Sequence, residues 1–213
     1  FLLGEHGWWG KCRMPFYDEV ANTPLFVWDP RFKAQAQRRR SLVQTIDLGP
    51  TLIDFFGKEQ FAESQGAPIR PAIENDTRVR DAGLFGVHGG HVNVTDGRYV
   101  YMRAQRTDDA HLYEYTHMPT HMRGFFGTDA LAKATLQPPF AFTKGCPTLK
   151  VPVPGNSWAK SQEFGDLLFD HDQHPRQEET IRDAAVEKMM TDKLVSLMKD
   201  TDAPPEQFER LGL

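Results

Sequence analysis

Apolar positions fall in short runs whose period changes along the chain. Residues 24–28, PLFVW, form an apolar run between Pro24 and Pro30, a pattern that fits a buried strand better than a helix. In SLVQTIDLGPTLIDFFGKE, Val43 ends a second short strand. Asp47 then caps a helix with Leu48, Leu52, Phe55 and Phe56 on one face, stopped by Gly57. Pro50 is tolerated because it lies in the first turn. Residues 58–80 are polar and proline-interrupted and read as a connecting loop.

The period then switches to two. LFGVH and HVNVTDGRYVYMRA are β-like, and Asp96-Gly97 is a two-residue hairpin signal. Val92 and Val94 share one face of their strand, and Tyr99 and Tyr101 one face of its partner. Residues 105–160 are rich in Pro, Gly, His and aromatics, with a short helix predicted at DALAKATL. LLFDHDQHPRQEE reads as a strand and turn, and TIRDAAVEKMMTDKLVSLMKD as the clearest helix. Thr180 and Asp183 form its expected cap pair, and Ile181, Ala185, Met189, Leu194 and Met198 its apolar stripe. A last helix starts near Pro204-Pro205 and ends at Gly212. The chain has no internal repeat and no low-complexity tract.

Composition narrows the class. With 213 residues, 39% of them hydrophobic and 25% charged, the chain has room for one large domain or two small ones around a real core. A net charge of −4 favours neither nucleic acid nor anionic lipid as a partner. The one basic run, RRR at residues 38–40, reads as a solvated loop. The apolar runs are too short to span a bilayer. Phe1-Leu2-Leu3 lacks the charged region of a signal peptide and is broken at once by Gly4. The two cysteines, Cys12 and Cys146, have no metal-binding or disulfide-framework spacing. A start at Phe, directly in motif-like sequence, leads us to expect a piece of a longer protein.

Candidate chemistry concentrates at that start. FLLGEHGWWGK puts backbone-freeing glycines beside aromatics and a His/Lys pair, a composition suited to the wall of a site. LGEHGWWGK, then FYDEVANTPLFVWDP, then TIDLGPTLIDFFG together resemble the sulfatase family of the alkaline phosphatase superfamily. Its members read SDHG or DNG, then LGEHG or LGDHG, an aromatic, Lys, a YE-type segment, a strand ending in Pro and a D-x-x-P-T-L-L helix. FGDLLFDHDQHPRQEET is similar to the family's L-Y-D-L-x-x-D-P-x-E-x-x-N stretch. HVNVTDGRYVYM looks like its C-terminal hairpin, and LYEYTHMPTHMR is similar to a segment of a bacterial subgroup.

By this resemblance Lys11 takes the place of the family's sulfate-binding lysine. Sulfate-ester cleavage needs positive charge at the sulfate oxygens, which a cationic donor in a site supplies far better than water does. On the residues alone, a surface Lys beside two buried Trp is the competing reading. His6 contacts substrate or holds the loop; Trp8 and Trp9 read as packing rather than sugar-stacking. His121 and Arg123, in PTHMR, either touch the sugar or belong to an ordinary polar loop.

The family's nucleophile, a Cys or Ser in C/S-x-P-x-R converted to formylglycine, has no counterpart. GAPIR at residues 66–70 has Gly66 at the nucleophile position, and Cys146-Pro147 has Pro one place early and no Arg. The resemblance places the Ca²⁺ ligands, like the nucleophile, ahead of Phe1, so none is assigned here. His88 with His91, His117 with His121, and His171 with His174 are possible metal pairs by residue type. Flexible glycines, Pro119 and a surface turn respectively speak against them.

The expected fold class is α/β. Residues 1–57 would be the last strand and helix elements of the large sulfatase domain, and 58–80 a connecting loop. Residues 81–213 would form a smaller α+β unit, an antiparallel sheet of about four strands packed on a C-terminal helix. The implied function is the C-terminal portion of an enzyme that hydrolyses sulfate esters of a small molecule or carbohydrate. Its implied partner is the N-terminal part of the same enzyme, and this chain alone is expected to be inactive. A phosphodiesterase or phosphonate monoester hydrolase of the same superfamily, and a non-catalytic sugar-binding or assembly module, are the alternatives.

Overall fold

In a computed structural model, the structure describes residues 1–11, 15–33, 36–106, 112–121, 124–153 and 160–213. The chain opens on a hairpin of β1 (Leu2–Leu3) and β2 (Trp9–Gly10), followed by the short helix α1 (Asp18–Ala21). Next come α2 (Leu48–Phe55) and α3 (Arg70–Asn75), then β3 (Gly83–Gly86), β4 (Val92–Thr95) and β5 (Tyr99–Arg103). β6 (Tyr113–Thr116), β7 (Thr120–His121) and β8 (Gly124–Phe125) precede α4 (Thr128–Ala132) and β9 (Thr135–Gln137). β10 (Thr148–Pro152), β11 (Leu167–Asp170), α5 (Ala184–Asp200) and α6 (Pro205–Leu211) complete the order.

The expected antiparallel sheet is present, with four strands in the order β11-β5-β4-β3. Strand alternation explains why it is buried on both faces. Val94, Tyr101 and Leu168 point to one face and meet Met190, Leu194 and Met198 of α5 and Leu211 of α6. Val100, Met102 and Phe169 point to the other, where Tyr17 packs on them. A residue from the start of the chain therefore closes the second face of the C-terminal sheet. A second sheet, β6-β10-β9, is tied to α6 by Lys150, 2.7 Å from Glu206, and by a hydrogen bond from the Tyr115 hydroxyl to the same carboxylate.

Several expectations shift in detail. The β4–β5 turn is centred one residue late: Thr95 pairs with Val100, and Asp96 faces Tyr99 across Gly97-Arg98. Gly97 takes φ 94° at the first central position, where a turn of this hand favours glycine. α5 begins at Ala184, capped by Asp183 alone, whose carboxylate accepts from Ala185 N and Val186 N. Ile181 precedes the helix and donates its N–H to Leu168 O, which takes Thr180 out of the cap. The buried stripe runs through Met190, while Met189 is 38% exposed.

The larger departures lie before residue 81. Residues 24–28 form no strand, and Phe26 and Trp28 are 94% and 86% exposed. Among the described residues no strand pairs with them, and a strand without a partner leaves its backbone groups unsatisfied. Val43 likewise ends no strand. α2 forms with Pro50 in its first turn, but Leu48, Leu52, Phe55 and Phe56 are exposed. Asp47 does not cap α2 with its side chain. The carboxylate is fully buried and accepts from Gln44 N, Ala67 N and the Arg80 guanidinium. The stretch expected as a loop carries α3, whose last carbonyls, Ile73 O and Glu74 O, are capped by Arg39. One residue of the basic run is thus a structural donor rather than a solvated charge.

Candidate functional site

The β1–β2 hairpin builds the loop singled out in the sequence. Leu2 faces Gly10 and is buried, and Leu3 faces Trp9. Between the strands Glu5–Gly7 make a 3₁₀ turn closed by Gly4 N donating to Trp8 O at 2.9 Å. The Glu5 carboxylate accepts from Leu3 N, which with its own backbone N–H holds it below the usual carboxylate range. Lys11 follows β2 directly, on an exposed bend. Trp9 is 80% exposed and lies against Gly4, and Trp8 is 36% exposed. Neither Trp is buried packing, contrary to the sequence reading.

His6 sits at the tip with φ 51° and ψ 24°, a left-handed conformation uncommon for a residue with a Cβ. Its ring stacks flat on Tyr17, with centroids 3.6 Å apart and planes 6° from parallel. Its Nε2 lies 3.3 Å from Glu19 Oε2. Tyr17 in turn meets Phe169 of β11 edge-on, 6.1 Å between centroids. Burial, and secondarily the Glu19 charge, push its hydroxyl pKa up, so it stays a neutral phenol.

The neighbouring residue completes the seat. Asp18 N donates to Gln177 Oε1 at 2.8 Å, and Asp18 Oδ2 lies 3.5 Å from His171 Nε2. Three consecutive residues, Tyr17, Asp18 and Glu19, thus connect the His6 loop to the turn after β11. The sequence reading singled out FYDE only through the resemblance and gave these residues no role. It also gave none to Gln177, which sits in a polar string that looks like an ordinary surface turn.

His121 is exposed on β7 and meets Phe126 edge-on at 5.4 Å; Arg123 lies outside the described residues, as does Cys12. His88 and His91 turn to different carbonyls, Tyr113 O at 3.0 Å and Gly165 O at 2.9 Å. His91 is buried, and that burial lowers its pKa. His171 is engaged with Asp18, and His174 N donates to Asp170 O. In GAPIR, Gly66 packs against the Ile46 carbonyl, and Arg70 pairs with Asp54 at 2.7 Å. Cys146 is exposed and free. Among the described residues no three His, Cys, Asp or Glu side chains converge as a metal site, and no helix is long and apolar enough to cross a membrane.

A hairpin carrying a Lys and a His, seated on a two-faced antiparallel sheet, is the arrangement to set beside known proteins. The family model described as N-sulphoglucosamine sulphohydrolase, C-terminal, matches residues 4–137, more than half of the chain. The chain belongs to that family, a family of sulfatases. It is 27% identical over 146 residues to an N-acetylglucosamine-6-O-sulfatase of Bacteroides thetaiotaomicron, covering 62% of this chain and 26% of the relative. The chain therefore spans about a quarter of that relative's length. A chain solved in complex with its substrate, D-glucosamine-2-N,6-O-disulfate, is 15% identical, with TM-score 0.41, over 75% of this chain and 25% of that one.

Proposed function

We propose that this chain is the C-terminal portion of a sulfatase that hydrolyses sulfate esters of a carbohydrate or other small molecule, and that its β1–β2 hairpin forms one wall of the site. The family match across residues 4–137, which begins inside the hairpin, carries this reading. The activity named for the similar N-acetylglucosamine-6-O-sulfatase makes an amino sugar sulfate the favoured substrate.

Lys11 is the residue we assign to the sulfate. It follows β2, whose pairing with β1 fixes the backbone on which it stands. An ammonium on such a backbone offsets negative charge on the sulfate oxygens without reorganising during reaction. His6 orients the hairpin, since its ring face is taken by Tyr17 and its Nε2 by Glu19. His121 and Arg123 are assigned to the sugar or to its further anionic groups. Ca²⁺ and a formylglycine nucleophile are proposed to come with the N-terminal part of the same enzyme. Among the described residues no three His, Cys, Asp or Glu side chains form a site for the ion.

The test uses the longer polypeptide and its Lys11→Ala variant, on a 6-O-sulfated glucosamine and on an aryl phosphodiester. Sulfate release that drops at least a hundredfold in Lys11→Ala supports the reading. Faster cleavage of the phosphodiester reassigns the chain to a phosphodiesterase. Saturable binding of sulfated oligosaccharide without turnover reassigns it to a sugar-binding module. The 213-residue chain alone is expected to show no turnover.

A further inference from the structure

The turn after β11 holds a side chain that its exposed surroundings do not explain. Gln177 is 1% exposed, adopts φ 55°, and is flanked by the exposed residues Arg176 and Glu178. A left-handed conformation is uncommon for a residue with a Cβ and persists only where neighbouring contacts fix it. The contacts that fix it are visible. Asp170, pinned by Arg98, accepts from Asp172 N at 3.0 Å and Gln173 Nε2 at 2.9 Å. His174 N donates to Asp170 O, and Gln177 N to His174 O. This chain of turns presents the Gln177 carboxamide inward, where Oε1 accepts from Asp18 N at 2.8 Å.

Asp18 N belongs to the first turn of α1, where a backbone N–H has no partner within the helix. Gln177 supplies that partner from a residue 159 positions away. On either side of Asp18 stand the two contacts that seat the hairpin, Tyr17 flat on His6 and Glu19 on His6 Nε2. We infer that Gln177 is a positioning residue for the candidate site: by gripping Asp18 N it fixes Tyr17 and Glu19, and through them the hairpin that carries His6 and Lys11. The inference deepens the sulfatase reading and rests on it for the word "site", but the grip itself is a property of this chain.

The test therefore has two readouts. In the 213-residue chain, the His6 ring protons report the Tyr17 stack by NMR, and the Asp18 amide reports the Gln177 bond by hydrogen exchange. Gln177→Leu is expected to shift the His6 ring protons towards free-histidine values and to speed Asp18 exchange at least tenfold. Gln177→Glu keeps an acceptor and is expected to restore both. Amides of β4 and β5 serve as the fold control. Should Gln177→Leu lose those too, Tyr17→Leu tests the same link from the other side, releasing His6 while Asp18 stays protected. Unchanged His6 signals in Gln177→Leu, or in Tyr17→Leu, overturn the inference. In the longer polypeptide, Gln177→Leu is expected to lower turnover of the sulfated sugar and Gln177→Glu to restore it. Absence of wild-type turnover would sink the sulfatase reading while leaving the NMR result to decide the grip.

Discussion

His91 is a buried imidazole whose Nε2 hydrogen-bonds the Gly165 carbonyl, and burial lowers its pKa below the ordinary histidine value. The unfolded chain therefore takes up a proton before the folded one does. Stability is complete above about pH 6.5 and falls below it, by up to about 1.4 kcal/mol per pH unit until the folded group also titrates. Urea unfolding at several pH values should show this slope in the wild type and lose it in His91→Gln; equal slopes would contradict the assignment. Asp170 titrates with the same sign but at more acid pH. Its carboxylate, held at a pKa of about 2 chiefly by the Arg98 guanidinium, stabilises the fold above the ordinary carboxylate value and loses that contribution as pH falls towards about 2. Arg98→Met leaves a buried carboxylate short of its strongest donor. It should lower the denaturant midpoint at neutral pH, and an unchanged midpoint would refute that.

Among the elements, α5 separates a helix that the sequence makes plain from a helix face that it does not. Apolar residues recur along the segment with several near-equivalent phases, and Met189 and Met190 are chemically identical. Only the packing partner selects between them, and the sheet selects Met190, at 0% exposure against 38% for Met189. Met190→Ala should cost about 2–5 kcal/mol in equilibrium unfolding, and Met189→Ala less than about 0.5. A reversed order would move the stripe back to the phase that the sequence pattern favours. The β4–β5 hairpin was legible for a stronger reason, since period-two alternation and a turn glycine agree there, and only the turn centre moved by one residue. Buried carboxylates were not legible. Asp47 reads as a helix cap, and Asp170 lies in a segment read only as strand and turn, but each gathers donors from segments far away in sequence. Gly66 belongs with them, because a Cβ there would collide with the Ile46 carbonyl oxygen.

At the scale of the whole molecule, the four-stranded sheet and the C-terminal helices form as the sequence pattern predicts, while two apolar segments earlier in the chain remain uncovered. Residues 24–28 and one face of α2 expose Phe26, Trp28, Leu52 and Phe56 at 94%, 86%, 61% and 68%. The apolar run was expected as a buried strand, yet the described residues bring no strand or helix onto it. Exposed apolar surface on this scale marks an interaction face. Under the proposed function its occupant is the N-terminal part of the same polypeptide; this chain spans about a quarter of the matched relative. Trp28 makes the idea measurable. The emission difference between wild type and Trp28→Phe isolates this indole from the other Trp residues. In the 213-residue chain that difference spectrum should peak where water-exposed indoles do, and iodide should quench it freely. In the longer polypeptide it should shift to shorter wavelength, and quenching should drop several-fold. An indole equally quenched in both would mean that the face has another partner, and the hairpin carrying Lys11 would then need a different route to the rest of the enzyme.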